Sequence, residues 1–152
     1  MSDMYRVIGR HSGTPAAIPS TIVLLVAGAT KRIWIHEIQL GSSNAAALAG
    51  AEVSAGRPTT SGTGGAAYTP LAGDPAAPAA IFTALSASTA FSAEPTQPAT
   101  YDWRMGLDAV TSYIYTPKTP ILVAVSTRFA VRVETDNSAT KVQWTCTLTV
   151  EE

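Results

Sequence analysis

Lys141-Val142-Gln143-Trp144-Thr145-Cys146-Thr147-Leu148-Thr149-Val150 decides the fold. Val142, Trp144, Cys146, Leu148 and Val150 fall on one phase of a two-residue repeat. Lys141, Gln143, Thr145, Thr147 and Thr149 fall on the other. Side chains of a strand alternate between faces, so this stretch is a strand with one dry face and one wet face. Burying the five apolar side chains contributes roughly 7–15 kcal/mol gross, an upper bound because the unfolded chain already hides part of that surface.

Working outward, Arg128 to Thr135 repeats the pattern, with Phe129, Val131 and Val133 inward and Arg132 and Glu134 outward. Asp136-Asn137-Ser138 then reads as the turn of a hairpin into the last strand. Tyr101 to Leu107 sets Tyr101, Trp103, Met105 and Leu107 against Asp102, Arg104 and Gly106. Further short strands are expected at Met4–Ile8, Thr21–Ala27, Lys31–Leu40, Ala45–Val53, Ala80–Leu85, Thr89–Ser92, Ser112–Thr116 and Ile121–Ser126. In Lys31–Leu40 the isoleucines change phase. Either Trp34, His36, Ile38 and Leu40 face the core, the preferred reading, or a bulge near Glu37 shifts the phase. Expected core positions are Trp34, Ile38, Trp103, Val123, Phe129, Val131, Val142, Trp144 and Leu148.

About nine or ten short strands with no internal repeat make an all-β fold: an antiparallel two-sheet sandwich with long irregular loops, a jelly roll being one form of it. The division expected is an N-terminal arm with the first strand over 1–20, then one sandwich domain over 21–152. A loop-rich insertion is expected near 54–78, with the flexible run Ser61-Gly62-Thr63-Gly64-Gly65 near its centre.

Composition narrows the function. Of 152 residues only 14% are charged, against roughly 25% in a typical soluble protein. So weakly polar a surface suits a chain covered by neighbours in an assembly. The net charge is −1, with 10 basic residues scattered along the chain, which points away from nucleic acid. The longest apolar run, Ile22 to Ala27, is too short to cross a bilayer, and the N-terminus has no secretory pattern. Synthesis in the cytoplasm is expected.

Catalytic signals are weak. The single cysteine, Cys146, sits mid-strand on an apolar face and reads as a small core residue. His11 is in a loop with no nearby carboxylate in sequence, and His36 falls on the expected core face. The glycine run lacks the lysine of a phosphate loop. Asp102 and Arg104 suit an outer-face ion pair. Glu37, Glu52, Glu94, Asp102 and Asp108 are available as acid/base pairs, but none has a supporting motif. The chain therefore reads as a non-enzyme, with no cofactor and no metal.

The opening Tyr5-Arg6-Val7-Ile8-Gly9-Arg10, the Leu/Val-rich second strand and the Ile35–Ile38 segment form a recurring series. Arg57-Pro58-Thr59-Thr60-Ser61-Gly62-Thr63-Gly64 and a final aromatic strand closing in Glu151-Glu152 complete it. This resembles small virion proteins encoded among the head genes of tailed bacteriophages, some of them capsid decoration (cement) proteins. The resemblance implies a β-sandwich on the capsid surface of a virion, bound to the major capsid protein and to copies of itself as a homotrimer. Contact positions expected on that basis are Tyr5, Arg6, His11, Arg57, Thr63 and Tyr68. An alternative is a tail, fibre or baseplate module in which Tyr68, Tyr113 and Tyr115 stack on a host glycan. A further alternative is a soluble carbohydrate-binding module or hydrolase.

Overall fold

The closing stretch is strand β12 (Gln143–Glu151). Trp144, Cys146, Leu148 and Val150 are buried, while the threonines between them face outward. The computed structural model describes residues 2–11, 19–43, 50–98, 100–107, 112–136 and 143–152. Val142, an expected core position, lies outside that set.

A strand satisfies its backbone by pairing on both edges, and β12 does so with β1 (Met4–His11) and β3 (Ile33–Ser43). The pairing continues inward in nested fashion. β2 (Ser20–Val26) pairs with β11 (Arg128–Asp136). The far edge of β3 takes both β9 (Ser112–Tyr115) and β10 (Ile121–Val123). β4 (Ala51–Gly56) pairs with β8 (Trp103–Leu107). This nesting of antiparallel pairs, alternating between two sheets, is the strand order of a jelly roll. The sheets run β10-β3-β12-β1-β6, with β9 also on β3, and β5-β7-β2-β11-β4-β8.

Three strands extend this frame between β4 and β8. β7 (Thr83–Ala93) pairs with β2, β5 (Thr63–Tyr68) pairs with β7, and β6 (Leu71–Ala72) pairs with β1. Much of the region expected to be a loop over 54–78 is therefore sheet. Its glycines are conformational requirements. Gly62, Gly64 and Gly65 all have positive φ, where the register of β5 on β7 shifts twice. A Cβ at Gly65 would stand 2.9 Å from the Phe91 ring. Bulges, not flexibility, account for the run.

Four further expectations are corrected. Within the segment expected as an arm with the first strand over 1–20, Met4–His11 is built into the sheet: as β1 it pairs along its whole length with β12 and also takes β6. β11 and β12 do not form a hairpin. Each is an inner strand with both edges filled, in different sheets. In β3 the bulge prevails: Thr149 pairs with Glu37 and Val150 with Ile35, leaving His36 as the extra residue. That shift buries Ile33, Ile35, Ile38 and Leu40 together and puts Trp34 and His36 on the outer side. Four buried aliphatics, at about 1.5–3 kcal/mol each, outweigh keeping the alternation intact. Arg132 is not outward-exposed: the register shifts between Val131 and Arg132, and its side chain is buried. Its Nε lies 3.1 Å from Glu134 Oε1, and Nη1 donates to the Pro95 carbonyl at 3.4 Å.

The main core lies between the sheets, around Val7, Ile22, Phe129, Val131, Trp144 and Leu148. Tyr5 meets Phe82 edge-on there, with ring centres 5.6 Å apart. A second, smaller core of Leu24, Ala87, Phe91 and Ala130 sits apart from it. β2 is accordingly buried on both faces, which is why Thr21–Ala27 reads as a continuous apolar run. Of the remaining expected core positions, Ile38 and Val123 are buried, Trp103 is half-buried against the core, and Trp34 is not a core residue.

The sheets approach most tightly at Gly9. A Cβ there would fall 2.5 Å from Val23 Cβ and 2.6 Å from the Ile22 carbonyl oxygen. Gly9→Val is expected to lower unfolding stability by about 3 kcal/mol or more, read by urea denaturation followed by tryptophan fluorescence.

Candidate interaction surface

Several titratable groups are engaged in structure. Among the described residues no group of three or more His, Cys, Asp or Glu is placed to hold a metal ion. Cys146 is fully enclosed, and burial pushes its thiol far above the usual range. Ser20 Oγ stands between His11 Nδ1, at 3.2 Å, and Glu94 Oε1, at 3.5 Å. That order differs from a Ser-His-Asp set, where the imidazole sits between the hydroxyl and the carboxylate. Glu94 instead accepts the Thr21 backbone N–H at 2.8 Å and ties the 94–98 segment to β2.

Surface ion pairs complete the picture. Arg104 grips both oxygens of Glu52 across β8 and β4, which holds the Glu52 carboxyl below its usual range. Arg57 pairs with Asp102 at 2.9 Å. Asp102 and Arg104 thus bind other partners rather than one another, and exposed pairs of this kind add little stability. His36 Nε2 is 2.5 Å from Glu151 Oε2. Glu151 is lowered by a hydrogen bond from Ser2 and then by one from His36. Among the described residues, surface hollows of about 290 to 620 Å³ are lined without bringing two carboxylates together.

The six expected contact residues are spread over the molecule. Tyr5 is only 2% exposed, with its hydroxyl donating to the Pro78 carbonyl at 2.9 Å, so its side chain belongs to the core. His11 is buried beside Ser20. Arg57 lines a hollow with Pro58, Leu122, Ala124 and Arg128 at the opposite end of the sandwich. Thr63 is exposed at the start of β5, and Tyr68 at its end packs against the core. Arg6 alone lies on a broad open face.

The tyrosines expected to stack on a glycan are also committed elsewhere. Tyr113 and Tyr115 pair opposite Leu40 and Ile38, so their rings turn inward. Both stack on Trp103 of the other sheet, at 6.0 and 5.5 Å between ring centres. This aromatic stack closes the β8/β9 edge of the sandwich.

The open face is the outer side of the β12 sheet. Cross-strand partners share a face, so the registers fix its rows. Met4, Glu151, Trp34 and Leu122 form one row. Leu71, Arg6, Thr149 and Glu37 form the next. Ile8, Thr147, Gln39 and Ile114 form a third, and Arg10, Thr145 and Gly41 a fourth. Four of the six exposed large hydrophobic residues of the chain's described part stand here: Met4, Leu71, Ile114 and Leu122. Sequence reasoning missed this surface because Trp34 looks like a core residue until the β3 bulge is known, and because the rows join residues far apart in sequence.

The sequence matches no protein-family model and no curated protein.

Two outcomes follow from the buried and paired groups. Cys146 is expected to resist a thiol reagent in the native protein and to react fully in denaturant, as read by absorbance. Glu151 titrates lower folded than unfolded, so its contribution to stability is present above the ordinary glutamate value of 4.5 and is lost as pH falls through the folded value. Glu151→Gln is expected to flatten the acid limb of a stability-against-pH curve measured by urea unfolding.

Proposed function

We propose that this chain is a structural virion protein of a tailed bacteriophage, which binds the outside of the capsid and stabilises the shell in several copies. The observation that carries the reading is the open face of the β12 sheet. It is broad and rich in threonine and apolar side chains, on a chain with few charged residues. Such a surface suits repeated contact with a protein lattice. Affinity there comes from buried area and from several copies engaging together, not from a reactive group. The likeness of the Tyr5–Arg10 and Arg57–Gly64 segments to head-gene virion proteins supports the same role, with the major capsid protein as partner.

The 54–78 region, part strand and part loop, presents Arg57 and Thr63 at the surface for the same role. Purified chain is expected to co-sediment saturably with capsids of the phage that encodes it and to raise the temperature at which those capsids rupture. Absence of binding to intact capsids would contradict the proposal.

A further inference from the structure

The rows of the open face have a property that none of the strands shows alone: they complement themselves. We propose that this face is a two-fold interface between two copies of the chain, with the Thr145-Thr147-Thr149 column of β12 on the axis. Rotation by half a turn about a line along β12, lying in the face, lays β1 of one copy over β3 of the other at the same height. Arg6 then stands opposite Glu37 of the second copy, and the symmetry makes that pair twice. Met4 meets Trp34, Ile8 meets Gln39, and Glu151, in the axial column, faces its own twin with each carboxylate held by its own His36. Leu71 comes down beside the gap between Ile114 and Leu122. Arg10 faces Gly41, where an added Cβ would meet nothing within 4 Å, so the long cation has room.

Three observations support a second copy as the occupant. The first is charge: Arg6 and Glu37 are in one row on opposite flanks of β12, one strand away on each side. An isologous contact demands that placement, the same patch meeting itself. The second is the way the other charges are used. Glu151 is already held by His36, and Arg32 lies over the Trp34 ring with its guanidinium 5.9 Å from the ring centre. Glu37 takes only a hydrogen bond from the neutral Gln39 amide, at 2.6 Å. Among the described residues it has no cationic partner in its own copy. The third is size. Four strand columns of about seven residues, β9 and β10 sharing one of them, and the two-residue β6, spaced about 4.8 Å apart, make a patch of roughly 500 Å² per copy. Two such patches reach about 1,000 Å², the lower bound of a specific interface. The contact is therefore expected to be reversible and dependent on concentration.

This inference does not rest on the capsid reading. The pair covers the face that the capsid reading uses, including Leu122 at the rim of the Arg57 hollow, so it describes the free chain and capsid contact would take its place; Thr63 stays uncovered. It also means that any three-fold arrangement must use another surface.

Sedimentation velocity of the full chain across a micromolar series tests it. The wild type is expected to pass from monomer to dimer. Arg6→Glu and Glu37→Arg, each placing like charges face to face twice, are expected to weaken the dimer by about tenfold or more. Arg6→Glu with Glu37→Arg restores the pair with signs exchanged and recovers most of the affinity. Circular dichroism melts confirm that the variants stay folded, since both positions are on the surface. Thr147→Cys supplies a second readout. A short bis-maleimide is expected to join it to its twin, while Thr63→Cys stays unjoined and the buried Cys146 stays silent. A wild type that is monomeric throughout would overturn the proposal. So would an oligomer indifferent to both charge reversals, or a Thr147→Cys protein that does not cross-link.

Discussion

The structure depends on the double demand made by β12. Its backbone needs a hydrogen-bonded neighbour on each edge, and Trp144, Cys146, Leu148 and Val150 need a second layer beneath them. β1 and β3 meet the first demand, and the sheet carrying β2 and β11 meets the second. Once the last strand is sandwiched between the first and the third, the intervening chain has to alternate between layers. The nested pairs β2·β11 and β4·β8 follow. Gly9 marks how closely the two layers approach, since no side chain fits between β1 and the Ile22–Val23 backbone.

The all-β class and the strand positions are legible in the sequence wherever one face is dry and the other wet. Gln143–Val150 and Trp103–Leu107 alternate as read, while Phe129–Val133 is buried on both faces. Legibility fails where a strand departs from one-sided burial or from perfect register. β2 is covered on both faces, so its run of Ile22, Val23, Leu24 and Leu25 carries no phase. In β3 one extra residue at His36 reverses the faces of everything before it, and Trp34 moves from the expected core to the surface. Arg132 is drawn inside by Glu134 and the Pro95 carbonyl, a long-range arrangement that no local pattern announces. The glycines of 62–65 look like a flexible linker because a bulge that needs positive φ has the same composition as a loop.

The interaction surface was the least legible part. Three of the expected contact residues, Tyr5, His11 and Tyr68, have rings that pack within their own chain. The open face is assembled from residues far apart in sequence: Met4 and Arg6, Trp34 and Glu37, Leu71, Ile114, Leu122 and the β12 threonines. Each is unremarkable in its own strand. Only the registers bring them into rows, and only the rows show that the cation on one flank matches the anion on the other. Low overall charge suits a chain covered by neighbours, and the open face is where the exposed apolar side chains gather.

The central claim is that β12 is an inner strand between β1 and β3, because both the nested fold and the rows of the open face derive from it. Cross-strand nuclear Overhauser contacts in the isotope-labelled protein measure this directly. The account expects backbone contacts from Thr147 to both Ile8 and Gln39, and from Thr149 to both Arg6 and Glu37. Contacts joining β12 to β11 as a hairpin, in place of those to β1 and β3, would contradict it.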